Sequence, residues 1–163
     1  MDLKLAAAYW RLGALPGEKL PGIAQAALLD GYDTESLRVL AGEQPAPKSE
    51  LGELFERTLS ECQVSDLSEP ESALEIARYH AEKILSGEVS PYEGAKAIVQ
   101  EAAQAVQPIP EEILAFVGLE DEFVDFGEQS RVQFYGKERC EAIRRELERR
   151  IMQEAGQLVA ESV

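Results

Sequence analysis

Apolar positions recur along most of the chain at spacings of three and four. Leu51, Leu54, Phe55, Thr58, Leu59 and Cys62 fall at i, i+3, i+4, i+7, i+8 and i+11, while Glu50, Glu53, Arg57 and Glu61 stay off that stripe. The spacing predicts an amphipathic helix, because 3.6 residues per turn bring these positions onto one face. Leu3, Leu5, Ala6, Tyr9, Trp10 and Leu12 predict a shorter helix ended by Gly13 and Pro16. After the turn-rich LPGEKLPG (15–22), Ile23, Ala26, Ala27 and Leu28 give helical spacing up to Gly31. Leu37, Val39, Leu40 and Ala41 predict a third helix, capped by Asp33 or Thr34 and followed by Gly42.

The second half is punctuated by capping chemistry. Ser68 with Pro70 and Glu71 has the pattern of a capping box, in which hydroxyl and carboxylate satisfy each other's backbone N–H groups. The helix it opens carries Ala73, Leu74, Ala77, Ala81, Ile84 and Leu85, and Gly87 ends it. Ser90, Pro91 and Glu93 repeat the signature before Ala95, Ile98, Val99, Ala102 and Val106. Pro108 and Pro110 stop that helix, and Pro110, Glu111 and Glu112 suit a new first turn with Pro at N1 and acids at the positive end of the dipole. From Lys137 onward, Cys140, Ile143, Leu147, Ile151, Ala155 and Leu158 mark the inward side of a long helix.

Residues 118–136 admit two readings. EFVDF (122–126) and RVQFY (131–135) flank GEQS as a small hairpin would, whereas Leu119, Phe123 and Phe126 share a helical face. The helical reading is favoured, because an isolated two-stranded pairing is marginal in water. The pattern as a whole predicts an all-α fold, an irregular or orthogonal bundle of seven to eight helices, with the small hairpin near 122–135 as the alternative. The length suits a single helical domain over 1–163, in which a short N-terminal helical piece (1–42) packs on a main bundle (48–160). EQPAPK (43–48) is the loop between them, since two prolines this close cannot lie inside a helix.

Composition narrows the function classes more than it names one. Apolar residues make up 45% of the chain, enough for a folded core. Sixteen Lys and Arg against 31 Asp and Glu give a net charge of −15. That charge opposes nucleic acid and anionic membranes, which both draw in basic proteins. The start MDLKLAAAYWRLG makes a poor export signal, and no run approaches the roughly 18 apolar residues of a membrane span, so a cytoplasmic location is expected. Cys62 and Cys140 lie far apart, form no CxxC pair and are expected as reduced thiols, Cys140 on the inward stripe.

Catalytic patterns are missing from the sequence. His80 is the one histidine, and the position three before it is Ala77, so neither HExxH nor Glu-x-x-His spacing arises. His80 is expected as a hydrogen-bonded histidine at the border of the apolar face. GxGxxG, GxxxxGK[ST] and GxSxG do not occur. LEDEFVDFGEQ groups Glu120, Asp121, Glu122, Asp125 and Glu128, but Phe123 and Phe126 break the calcium-loop template. No catalytic residue, metal or cofactor is assigned.

Charge is unevenly distributed. Ala97–Ser130 holds eight acids and no Lys or Arg, and Arg131–Arg150 holds seven basic residues and four acids. Two accounts stay open. The last helix can lie beside the acidic segment and pair with it, or the acidic segment can face a basic partner protein. RRELERR (144–150) interleaves Glu146 and Glu148 and reads as a solvated face with i, i+3 and i, i+4 pairs.

GYDTESLRVLAGE (31–43), ILSGEVSPYEGAKAI (84–98) and EEILAFVGLEDEFVDF (111–126) resemble pieces of small, uncharacterised helical hypothetical proteins of bacteria. The resemblance implies a helical 111–126 and a cytoplasmic setting, and it carries no site residues. Together these features predict a non-enzymatic, acidic, helical protein-interaction module, of which an immunity or antitoxin-like protein is one version. Glu120, Asp121, Glu122, Asp125 and Glu128 are the expected contacts with a basic protein partner. The alternative is an enzyme or small-ligand binder with a cleft between helices at Tyr79, His80, Tyr92 and Glu93.

Overall fold

A computed structural model describes residues 1–160 of the chain. Among the described residues there are nine α-helices and no strand. The chain divides into two compact units, Met1–Ser72 and Ala73 onward. The Pro-containing stretch 43–48 lies inside the first unit, and the division falls at Ser72.

In the first unit, α1 (Leu3–Arg11) starts at Asp2, whose carboxylate accepts the Leu5 N–H at 2.8 Å. Helices α2 (Leu20–Leu29), α3 (Glu35–Gly42) and α4 (Lys48–Glu61) follow, and α3 packs on both α2 and α4. Thr34 is the cap of α3, accepting the Leu37 N–H at 3.3 Å. The core gathers Leu3, Ala6, Trp10, Leu15, Leu20, Ile23, Leu37, Leu40, Leu51 and Phe55. Trp10 meets the Phe55 ring edge-on at 5.2 Å, while Lys48 Nζ lies 3.8 Å from the indole centroid. Burying such a pair adds an aromatic contact of about 0.5–1.5 kcal/mol to the area term. Val39, expected inside, is half exposed at 48%.

Helix α5 (Glu69–Leu85) opens with the predicted capping box. Glu71 Oε2 accepts from the Ser68 N–H at 2.8 Å and from its hydroxyl at 2.6 Å. In the second unit, α6 (Pro91–Glu101) is capped by Ser90, whose Oγ accepts the Glu93 N–H at 3.3 Å. Helices α7 (Glu111–Asp125), α8 (Gln129–Tyr135) and α9 (Lys137–Ala160) complete it. Helix α7 packs on α6 and α9, and α6 also packs on α9. Ile76, Ile84, Ile98, Ile113, Phe116, Leu147 and Ile151 are buried there. Gly94 is required by this packing, because a Cβ at that position would fall on the Ile84 side chain. Leu85, placed on the inner stripe by periodicity, is 42% exposed, and Pro110 is the N-cap of α7 rather than its first residue.

The helix count exceeds the predicted seven to eight because 118–136 splits in two. EFVDF completes α7, RVQFY forms α8, and Gly136 at φ +86° separates α8 from α9. The hairpin near 122–135 is therefore corrected to helix. Leu119 and Phe123 extend the buried stripe of Ile113 and Phe116, so the helix gains burial that a lone pair of strands would lack. Ile143 is half-buried at the edge of the α9 stripe, whereas Cys140, Leu147, Ile151, Ala155 and Leu158 are buried as predicted. Both cysteines are free thiols. Among the described residues no helix is long and apolar enough to cross a membrane.

Candidate functional site

Helix α7 forms because Ile113, Phe116, Leu119 and Phe123 recur at helical spacing, and burying that stripe turns the remaining positions outward. The outward face runs through Leu114, Gly118, Asp121 and Asp125, with Val124 beside it. Leu114 is 48% exposed and Val124 43%, so the face mixes apolar surface with carboxylates. A Cβ at Gly118 would meet nothing within 4 Å, which leaves open space above the middle of the helix. No Lys or Arg occurs between Glu111 and Asp125.

The five acids grouped by sequence separate on this helix. Asp121 is exposed on the outward face, and Glu120 is half-buried toward the packed side. Asp125 Oδ2 pairs with Arg131 Nη2 at 2.8 Å, and that contact raises the guanidinium pKa further. Glu122 Oε2 lies 3.7 Å from Arg150 Nη1 of α9. Glu128, at the N-cap of α8, accepts weakly from the Ser130 hydroxyl at 3.4 Å. Arg144 of α9 covers the Phe123 ring at 4.2 Å. The basic stretch 131–150 thus folds back on the acidic one, as the intramolecular account required. Exposed pairs of this kind are screened by solvent, so they set register more than stability. None of these ion pairs involves the outward Asp121.

The four cleft residues do not gather. His80 is buried at 9% exposure, and its Nε2 lies 3.1 Å from Glu101 Oε2. Tyr79 meets the His80 ring edge-on at 5.1 Å and carries Lys83 Nζ 4.8 Å from its own ring centroid. Lys83 also binds Glu88 Oε1 at 2.7 Å, which with Tyr79 raises its pKa. Tyr92 stacks on Phe123 at 4.3 Å. Tyr92 and Glu93 occupy the first turn of α6 and Glu101 its last residue, roughly 12–14 Å away along the axis at 1.5 Å per residue. His80 therefore meets the far end of α6, and the histidine plays the hydrogen-bonded role expected for the border of an apolar face. Among the described residues no group of three or more His, Cys, Asp or Glu could hold a metal ion.

Two features escaped the sequence pattern. One is the outward apolar pair Leu114 and Val124, whose periodicity differs little from that of core positions. The other is a cavity in the first unit beside Trp10, assembled from α1, α4 and the segment after it. Its two groups of residues, one ending at Arg11 and the other beginning at Glu56, lie more than forty positions apart in the chain, a separation that helical periodicity does not register. No family model, curated protein or solved structure matches this chain.

Proposed function

We propose that the protein is a non-enzymatic, acidic helical interaction module that binds a basic protein partner through the outward face of α7. An immunity or antitoxin-like role, in which a carboxylate-bearing helix occupies a cationic site, is the specific version of this reading. The observation that supports it is the combination on one face of exposed Leu114 and Val124 with Asp121, on a helix without a single basic residue. Apolar contact supplies affinity on such a surface, and the field of a chain at −15 speeds association with a cationic partner. The reading takes with it a cytoplasmic setting, a bacterial source, an irregular or orthogonal arrangement of the helices, and no role for nucleic acid.

The test is capture of a basic protein by immobilised chain at low and high salt, with identification of what is retained. A single basic species should be held at about 50 mM salt and released at several hundred millimolar, as screening requires. Leu114→Lys combined with Asp121→Lys should weaken its binding roughly tenfold or more with the helical spectrum unchanged. Retention indifferent to that double substitution would remove α7 from the interface.

A further inference from the structure

The first unit contains a cavity of about 430 Å³ that the interaction reading does not use. The volume falls within the range of small-molecule sites, roughly 300–1,000 Å³. Trp10, 9% exposed, and half-buried Leu59 and Val64 supply its apolar floor. Its rim carries Arg11, Glu56 and Asp66. The indole N–H points to Glu56 Oε1 at 3.4 Å. Arg11 Nη1 and Asp66 Oδ1 stand 3.8 Å apart, a loose pair with 49% and 92% of the side chains exposed.

The wall after α4 is held by an uncommon backbone. Gln63 adopts φ +57°, the left-handed region that a non-glycine residue enters at a cost, and the turn lets the Val64 N–H reach the Leu59 carbonyl at 3.0 Å. This return brings Val64 and Asp66 over the same pocket as Trp10 and Arg11.

Glu56 accepts from the indole N–H, so the remaining pair, Arg11 and Asp66, sets a cation and an anion side by side over an apolar floor, a dipole with a hydrophobic base. The complement of that arrangement is a zwitterion with an apolar tail. We infer that this cavity binds a free α-amino acid with an aliphatic side chain, its carboxylate on Arg11, its ammonium on Asp66, and its side chain against Trp10, Leu59 and Val64. Exchange of the loose 3.8 Å pair for two direct contacts turns one weak interaction into two charge-assisted hydrogen bonds. No reaction is involved, and the inference is independent of the α7 surface.

Trp10 is the chain's only tryptophan, so its emission reports directly on occupancy. Three probes separate the elements of recognition: L-leucine, isopentylamine, which lacks the carboxylate, and 4-methylpentanoate, which lacks the ammonium. L-leucine should produce a saturable change in emission, and each of the other two should bind at least about tenfold more weakly. Arg11→Gln should weaken L-leucine about tenfold and leave isopentylamine unchanged. No saturable change with L-leucine up to about 20 mM would overturn the inference, as would equal binding of the three probes. The probe series uses the unaltered chain, so it stands even if Arg11→Gln fails to fold.

Discussion

Single residues in this protein carry backbone and packing demands that can be measured one at a time. Gln63 follows the end of α4 in the left-handed region, a place that glycine takes without steric conflict. Gln63→Gly should therefore stabilise the chain by ~0.5–1 kcal/mol, after allowance for the added freedom of the unfolded glycine, and raise the urea midpoint at unchanged slope. Gly94 makes the opposite demand. Ile84 is 2% exposed and occupies the space a Cβ would need, so Gly94→Ala should cost about 1–3 kcal/mol by overpacking, read in the same denaturation experiment.

At the scale of elements, helices are tied to one another by carboxylates near their ends. Glu61, the last residue of α4, accepts the Ser36 N–H at 3.0 Å and the Ser36 hydroxyl at 2.7 Å, so it caps α3 from outside. Those hydrogen bonds hold the Glu61 carboxyl below its usual range, and the Ser68 bonds do the same for Glu71. Folding lowers both values, so their contribution is complete above the usual glutamate pKa of about 4.3 and is lost as pH falls through the lowered ones. Urea midpoints measured from pH 7 to pH 3 should fall in the acid range, and Glu61→Gln should lower the midpoint at neutral pH while flattening that fall. The Ser68 box was legible in the sequence because hydroxyl and carboxylate stand three residues apart. The Glu61–Ser36 tie was not, because 25 positions separate the partners and no local period joins them. The same distinction governs the site: the exposed acids of α7 could be read from composition, whereas the pairing of Asp125 with Arg131 needed the turn into α8, and that of Glu122 with Arg150 the return of α9. The hairpin alternative failed where burial of Leu119 and Phe123 outweighed local strand preference.

For the molecule as a whole, the surplus of fifteen negative charges outweighs the few cross-helix pairs. Ion pairs such as Arg150–Glu122, at 3.7 Å on half-exposed side chains, weaken modestly in salt, but general repulsion is screened as well. The melting temperature should rise as sodium chloride goes from about 10 mM to about 200 mM, followed by circular dichroism. A fall would assign the larger share to the pairs. The segment 43–48 has a consequence of another kind. Its two prolines mark it as a linker, yet a Cβ at the buried Gly17 would fall on the backbone of residues 46–48. Two strands of main chain cross there with no room for a side chain between them. An epitope tag or protease recognition sequence spliced into that stretch would wedge the crossing apart, so the place that looks most forgiving of insertion is one of the least.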